Sequence, residues 1–127
     1  MKVIIDTSVW LDYFKFNLHE KEIKELHKEG RIVTTDVILA ELLPRIIHDK
    51  KRELEGALRS FETLHTFVNW EAIISTQVKC LKNGYNKIGL LDIMIVQAAI
   101  EYSAKIYSVD KHFKGMEKFL DFKLHIP

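Results

Sequence analysis

The sequence predicts one α/β domain, residues 1–127, on a mostly parallel sheet that helices cover on both faces. The main observation is that short apolar strand candidates alternate with amphipathic helices along the whole chain. The length of 127 residues suffices for one domain and is too small for two ordinary ones. With 47% hydrophobic residues, the chain can also form a substantial core. No repeat, low-complexity tract or linker interrupts the alternation.

The first part of the chain opens with a strand and a helix. Val3–Ile5 is an apolar strand candidate, and residues 9–14 then place apolar side chains at helical spacing. Glu20–Lys28 carries an apolar stripe, and Gly30 ends that helix because glycine readily adopts the left-handed conformation found after helices. Residues 31–35 are mostly β-branched and predict the second strand.

The middle of the chain predicts two helices, a strand and a further helix. Residues 36–43 form a helix that its first residue, an aspartate, is expected to cap. Pro44 should end or kink this helix, because proline has no backbone N–H. Residues 51–64 carry a helical apolar stripe, residues 66–68 predict a short strand, and residues 70–81 predict another helix.

The last part of the chain contains the most apolar helix. Residues 90–104 are apolar almost all round, which predicts that this helix lies in the interior. Residues 105–109 predict a strand that ends in Asp110, and a helical turn over 113–119 and a strand over 122–124 finish the chain. Strands that alternate with helices in this way predict parallel pairing.

Composition and charge exclude several classes of protein. The charged fraction of 29% and the net charge of +1 are typical of a soluble globular protein. They argue against binding nucleic acid by overall charge alone. Cys80 is the only cysteine, so no intrachain disulfide can form, and a buried, unreactive thiol is expected. No apolar run approaches the roughly 20 residues of a membrane span, and the start is unlike a signal peptide. The sequence therefore predicts a cytoplasmic protein without a membrane partner.

Four acidic residues stand where a carboxylate needs a partner. Asp6 and Asp110 directly follow strand candidates, and the carboxyl ends of parallel strands border the crevice in which ligands bind. Asp92 stands at the start of the most apolar helix, and Glu41 lies among aliphatic residues. Taken alone, each aspartate could cap a helix and Glu41 could be a solvated helix residue. Taken together, the four predict a cluster of carboxylates.

A cluster of this kind predicts a divalent metal site. No lysine or arginine is adjacent to Asp6 or Asp92, so repulsion would persist until a cation arrives. Magnesium takes oxygen ligands, usually carboxylates with waters and substrate phosphate, and manganese is an alternative. Four carboxylates could hold one ion, or two ions about 3.5–4 Å apart that clamp a phosphodiester. Zinc is disfavoured, because the histidines lack ligand spacing and Cys80 has no partner.

Four motifs that contain these acids resemble the PIN-domain nucleases. They are V-I-I-D-T-S-V-W with Asp6, L-A-E-L-L with Glu41, G-L-L-D-I-M-I-V-Q-A-A with Asp92, and Y-S-V-D-K-H-F with Asp110. Their order and spacing match over nearly the whole chain, and four motifs in order are far more specific than one. The resemblance implies a three-layer α/β/α sandwich, in agreement with the alternation of strands and helices.

The resemblance also implies an activity and its residues. Asp6, Glu41, Asp92 and Asp110 match the family's metal-binding acids, and Ser8 matches the small hydroxyl residue that supports the first acid. Family chemistry is metal-dependent endonucleolytic cleavage of RNA, with no covalent enzyme intermediate. Small single-domain members are the VapC-type toxins of toxin–antitoxin pairs. The resemblance therefore implies an RNA substrate and a protein antitoxin.

Two surfaces are candidates for binding these partners. Lys87, Lys111, His112 and Lys114 lie near the motifs and could contact RNA, although solvated surface charge is the simpler interpretation of each. The apolar faces of the first two helices and of residues 36–64 exceed the obvious needs of one small core. They predict that a second copy, giving a homodimer, and an antitoxin segment cover part of this surface.

Three other functions stay open at this point. The fold could serve as a binding module that a partner holds, with little or no catalysis. It could also be a nuclease of RNA processing or quality control rather than a toxin. A phosphatase of the haloacid-dehalogenase type also begins with a strand and an aspartate. That chemistry needs a second aspartate two residues later, where this chain has Ser8, and it is therefore disfavoured.

Overall fold

Four parallel strands form the sheet in the order β3-β2-β1-β4, in a computed structural model that describes residues 1–127. The strands are β1 (Val3–Ile5), β2 (Ile32–Thr35), β3 (Glu62–Leu64) and β4 (Lys105–Tyr107). β1 lies between β2 and β4, and its Ile4 aligns with Val33 and Ile106. The segments that follow β1 and β4 therefore leave the same edge of the sheet side by side.

Seven helices surround this sheet. They are α1 (Thr7–Phe16), α2 (Glu20–Lys28), α3 (Asp36–His48), α4 (Arg52–Ser60), α5 (Trp70–Lys82), α6 (Leu90–Tyr102) and α7 (Lys111–Met116). Every residue of β1 and β2 is buried, and successive residues of a strand face opposite sides of a sheet. Both faces are therefore covered, which confirms the predicted α/β/α sandwich. None of the seven helices combines the length and apolar composition needed to cross a lipid bilayer.

A cluster of 26 buried hydrophobic residues joins the sheet to the helices. Each aliphatic or phenylalanine side chain fully buried there contributes roughly 1.5–3 kcal/mol to stability. On the side of α1, the buried ring of Trp10 stacks on Phe14 at 5.6 Å and on Phe61 at 5.8 Å between centroids. Cys80 is also buried, and burial raises the pKa of its thiol, as expected for an unreactive cysteine.

The third strand does not lie where the sequence predicted it. The helix expected over residues 51–64 ends at Ser60, and β3 follows at once, with Leu64 buried. Residues 66–68 form no strand, and Phe67 is 99% exposed. The side chains of residues 66–68 favour strands, but strand formation also requires a paired neighbour and a surface to pack on. Only the segment that ends at Leu64 has both.

α3 differs from the prediction at its start and at its proline. Thr35 rather than Asp36 caps the helix, because the Thr35 hydroxyl accepts the N–H of Ile38 at 3.2 Å. The helix continues through Pro44 instead of ending there. A proline inside a helix costs about 3 kcal/mol. Burial of Ile46, two residues further on, offsets part of this cost.

The C-terminal part of the chain also differs in detail. α6 ends two residues before its predicted end, and it is not fully interior, since Leu90 and Ile100 are exposed. β4 is three residues long rather than five. Residues 122–124 form no strand and contribute a single parallel bridge between Leu124 and Ile106. α7 begins two residues before the predicted helical turn.

Candidate active site

The carboxyl edge of the sheet brings the four acids of the motifs to one place. Asp6 follows β1, and Asp110 lies three residues after the end of β4. Glu41 projects from the middle of α3, and Asp92 lies in the first turn of α6. The sheet order makes the segments after β1 and β4 neighbours, and α3 and α6 contact each other. The residue positions therefore follow from the topology of the domain.

Asp6 is the most buried of these acids, with 5% of its surface exposed. Its Oδ2 accepts hydrogen bonds from the hydroxyls of Ser8 at 2.7 Å and Ser108 at 2.9 Å, and more weakly from the Ser8 N–H at 3.4 Å. Its Oδ1 receives no hydrogen bond from the protein. Oδ1 is not among the fully buried side-chain atoms that lack a partner, so a solvent molecule or an ion can reach it. Asp6 therefore both caps α1 and offers a free oxygen to a cation.

Each serine beside Asp6 also accepts a backbone N–H from the segment that follows β4. The Ser8 hydroxyl accepts from Val109 at 3.3 Å, and the Ser108 hydroxyl accepts from Asp110 at 3.0 Å. Because a hydroxyl has one hydrogen, accepting an N–H leaves that hydrogen for the Asp6 carboxylate. Bonds linked in this way polarise one another. The sequence analysis missed Ser108, although it is a small hydroxyl residue directly after the strand next to β1.

Glu41 points toward the start of α1. The Thr7 hydroxyl donates a hydrogen bond to Glu41 Oε1 at 3.1 Å. Partial burial of the Glu41 carboxyl group raises its pKa, although the residue as a whole stays exposed. The Thr7 hydrogen bond lowers this pKa, and the nearby charge of Asp6 raises it further. The helix continues past Pro44 to His48, and the Thr7 hydrogen bond shows that Glu41 faces the start of α1.

Asp92 has the most strongly perturbed acid group of the cluster. Burial is the largest cause, and the charges of Asp110, Asp6 and Glu41 add to it, raising its pKa from 3.8 to about 6. The nearby His112 acts in the opposite direction. At neutral pH, Asp92 is therefore charged at a cost in folding free energy. The three other acids lie close enough to contribute to that cost, as a converging cluster requires.

Asp110 and His112 complete the cluster. Asp110 caps α7 by accepting the backbone N–H of His112 at 2.9 Å, and the His112 ring lies 3.6 Å from the same carboxylate. Ligand atoms of Asp92, Asp110 and His112 all lie within 4.8 Å of one another. This donor set fits a divalent cation, because magnesium and manganese both favour carboxylate oxygens. His112, expected at an RNA-binding rim, thus also borders the acids.

The basic residues expected near the motifs line a neighbouring cavity. Its volume is about 390 Å³, and Lys87, Lys111 and Lys114 contribute to its wall together with His112. The cavity lies between α7 and the segment that joins α5 to α6. Acidic and basic groups therefore occupy adjacent parts of the same edge of the domain.

An α/β/α sandwich with converging carboxylates at the carboxyl edge of a parallel sheet defines a class of domain suited to holding a divalent cation. The PIN domain family matches residues 3–118 of this chain. Because that match covers most of the sequence, the chain belongs to the PIN-domain family. This agrees with the resemblance carried by the four motifs.

Two solved structures share the fold over almost their whole length. The crystal structure of DNA-bound VapBC from Salmonella typhimurium has a TM-score of 0.74 and 17% identity, and the match covers 98% of this chain and 97% of that one. VapBC2 from Rickettsia felis, bound to a DNA fragment from its promoter, has a TM-score of 0.71 and 17% identity, with 98% of each chain covered. At this identity the likeness establishes the fold. No curated protein sequence matches the chain.

Proposed function

We propose that this chain is a metal-dependent endoribonuclease and the toxin of a toxin–antitoxin pair. The observation that carries the proposal is the buried carboxylate of Asp6, which two serine hydroxyls fix through Oδ2 and which is free at Oδ1. Membership of the PIN-domain family supports cleavage of a nucleic acid. The proposed cofactor is magnesium, with manganese as the alternative, because the donors are mostly carboxylates.

Asp6, Glu41, Asp92 and Asp110 are the proposed ligands of the cation. A divalent cation bound there would activate a water molecule and stabilise charge on the scissile phosphate. Asp6 is held in position beforehand by its hydrogen bonds, so little reorganisation is needed. Asp92 is destabilised by its neighbours in the metal-free protein, so neutralising the cluster favours the charged form of its carboxyl group.

Cleavage of RNA by purified protein tests this activity directly. With magnesium or manganese, the parent should cut RNA, and a chelator should stop it. Asp6→Asn should lower the rate at least about 100-fold, since it removes a preorganised charge. The matched control is Asp121→Asn, which changes an exposed acid that forms no ion pair. If Asp6→Asn cleaves as fast as the parent, the assignment is wrong, and a parent inactive with either metal would favour a binding module.

A groove beside Glu41 supports an antitoxin as partner. α1, α3 and α4 line a cavity of about 250 Å³, and half of its ten lining residues are hydrophobic, among them Leu11, Phe14 and Leu54, while the other half are charged. An amphipathic helix can lay an apolar face in such a groove. A basic side chain on that helix would reach the acids. The two similar solved structures are themselves VapBC assemblies.

The neighbouring open reading frame supplies the test of this partner. Its product, if it is the antitoxin, should form a stable complex with this chain and suppress RNA cleavage. Leu11→Glu places a charge in the groove without touching the acids, so it should weaken the complex and preserve cleavage. If no neighbouring product binds, the toxin role fails, and an RNA-processing nuclease becomes the better interpretation.

A second apolar surface supports the proposed homodimer. α5 exposes Ile74, Val78 and Leu81 at helical spacing, and the adjacent α6 exposes Leu90 and Leu91. Exposed apolar residues that cluster in this way are typical of an interface. The sequence predicted an apolar interface on the first two helices and on residues 36–64, whereas this surface lies on α5 and α6. Light scattering at tens of micromolar protein should show a dimer, and a strict monomer would contradict the proposal.

We place this assembly in the cytoplasm, where RNA substrates are present.

A further inference from the structure

The cavity beside α7 concentrates positive charge that no acidic residue neutralises. Lys87, Lys111, Lys114 and Lys118 line it, together with His112. None of the four lysines forms an ion pair with a carboxylate, and no acidic residue lines the cavity. The whole chain has a net charge of only +1. Four unpaired ammonium groups around one cavity of about 390 Å³ therefore form a surface suited to an anion.

The packing of Tyr85 gives this cavity a fixed wall. A Cβ atom at Gly115 would lie 2.5 Å from the Tyr85 ring, so the ring rests directly on the backbone of α7. The ring also packs on Phe119, with 5.8 Å between centroids. Lys111 and Lys114 lie three residues apart on α7 and so share one face of the helix, and Lys118 lies in the turn that follows it. The cavity is therefore built on a packed scaffold.

His112 connects this cavity to the acid cluster. Its side chain lines the cavity, and its ring lies within 4.8 Å of ligand atoms of Asp92 and Asp110. An anion in the cavity would therefore lie beside the proposed cleavage site. The carboxylates themselves repel a phosphodiester, so a substrate needs attractive contacts close by. The lysines of the cavity supply them.

We propose that this cavity is a subsite for one backbone phosphate of the RNA, next to the phosphate that is cut. The inference rests on the proposed ribonuclease function and adds a definite contact to it. Lysine ammonium groups bind phosphate as point charges. Single-stranded nucleic acid is commonly held by a positive groove that follows its backbone. The volume of about 390 Å³ admits a phosphate with its sugar, and the mostly polar lining suits an anion better than the apolar face of a partner helix.

The salt dependence of RNA binding tests the proposal. The protein carries Asp6→Asn, so that RNA is bound without being cut, and a short fluorescent single-stranded RNA is followed by anisotropy in magnesium. Each phosphate contact contributes about 0.7 to the slope of log affinity against log salt for single strands. Lys114→Ala with Lys118→Ala should therefore weaken binding and lower that slope by about 0.7, the value for one phosphate.

The matched control removes two exposed lysines at the opposite edge of the sheet. Lys28 lies at the end of α2, just before β2 begins, and Lys123 lies beside the start of β4. Lys28→Ala with Lys123→Ala removes the same total charge and should leave the slope unchanged. Equal slopes for the two double variants would overturn the proposal. A drop of about 1.4 would also overturn it, because it would mean two phosphates.

A phosphate-by-phosphate scan locates the contact on the RNA. Oligonucleotides that each carry one uncharged methylphosphonate are compared, and the active parent protein maps the cut. The methylphosphonate next to the cut should weaken binding of the Asp6→Asn protein and have no effect once Lys114 and Lys118 are also alanine. Sensitivity at the same linkage in both proteins would refute the subsite.

A shape variant and the cleavage assay separate the possible failures. Gly115→Ala forces the Tyr85 ring away while all lysines remain, so it should weaken RNA binding in a protein whose melting curve stays cooperative. If that variant does not fold, the salt slopes of the two double lysine variants still test the proposal.

Metal-dependent cleavage by the parent, together with an unchanged salt slope in the Lys114→Ala, Lys118→Ala protein, overturns the subsite alone. Absence of cleavage by the parent overturns the proposed function instead. If Lys114→Ala with Lys118→Ala loses antitoxin binding but keeps RNA binding, the cavity binds a protein and the subsite proposal is overturned.

Discussion

Replacing Asp92 with asparagine should stabilise the metal-free protein at neutral pH. The folded-state pKa of Asp92 is about 6, against an ordinary value of 3.8. Between these two pKa values the folded protein binds more protons than the unfolded chain. The contribution of Asp92 to stability is therefore fully present below about pH 4, and it is lost as the pH rises through about 6. At pH 7 the folded protein carries the charge at a cost. An asparagine removes that cost at every pH.

Two opposing effects set the size of this stabilisation. The pKa rise corresponds to about 3 kcal/mol at 1.36 kcal/mol per pKa unit. Solvent screening of a partly buried carboxyl group reduces this to about 1.5 kcal/mol. Asp92 also lies in the first turn of α6, where losing a negative charge costs about 0.5 kcal/mol. Relief of repulsion is therefore the larger effect, and the free energy of unfolding rises by about 1 kcal/mol, or the melting temperature by about 3–5 °C.

Melting curves measure this effect without any substrate. The parent, Asp92→Asn and the control Asp121→Asn are compared at pH 7 and pH 4, with chelator and with magnesium. The gain of Asp92→Asn should appear at pH 7 with chelator and shrink at pH 4. Magnesium at about 100 times its dissociation constant stabilises the parent by about 2.7 kcal/mol, and this response should be smaller in Asp92→Asn. A lower melting temperature without metal, together with an unchanged magnesium response, would refute the clustered-acid site.

Three further substitutions test other parts of the site and surface. Ser108→Ala removes one of the two hydroxyl donors to Asp6 and should lower metal affinity and cleavage about 10–100-fold, measured by calorimetry and by RNA cleavage, with little change in secondary structure. Glu41→Gln should lower cleavage while leaving the metal-free melting temperature equal or higher, because the raised pKa means that its charge is unfavourable in the folded protein. Leu81→Glu should convert the proposed dimer to a monomer in light scattering with RNA cleavage retained, and a dimer that survives this change would move the interface elsewhere.

The elements that the sequence predicted well are those whose signal is local. β1 is an uninterrupted apolar run closed by an acid, and β2 is a run of β-branched residues before a capped helix. β3 has only one buried residue, Leu64, so its signal was weaker than that of the β-branched and aromatic residues 66–68. Which of two such segments pairs with β2 depends on tertiary contacts. Local patterns do not contain that information.

The candidate site shows the same division between local and distant information. The position of Asp6 after β1 could be predicted from a few neighbouring residues. The role of Ser108 could not, because its hydroxyl meets Asp6 across 102 positions of sequence, through the pairing of β1 with β4. Two short strands must align in one register before this contact exists. The charges that raise the pKa of Asp92 likewise come from three separate elements.

The acids of the site are held in different ways, and this difference bears on how a cation would bind. Asp6 has one oxygen occupied by two hydroxyl donors, each of which accepts a backbone N–H, so its orientation is set in the metal-free protein. Asp92 instead carries a raised pKa, so its charged form is disfavoured until the cluster is neutralised. In the proposed site, one acid would therefore supply a preorganised ligand, and the other would supply a repulsion that a cation relieves. A site with four acids fixed like Asp6 would gain less from binding, because it would have no repulsion to lose. A site with four acids like Asp92 would bind a cation without setting its position. The combination at the carboxyl edge allows both tight binding and a defined position for the proposed cation.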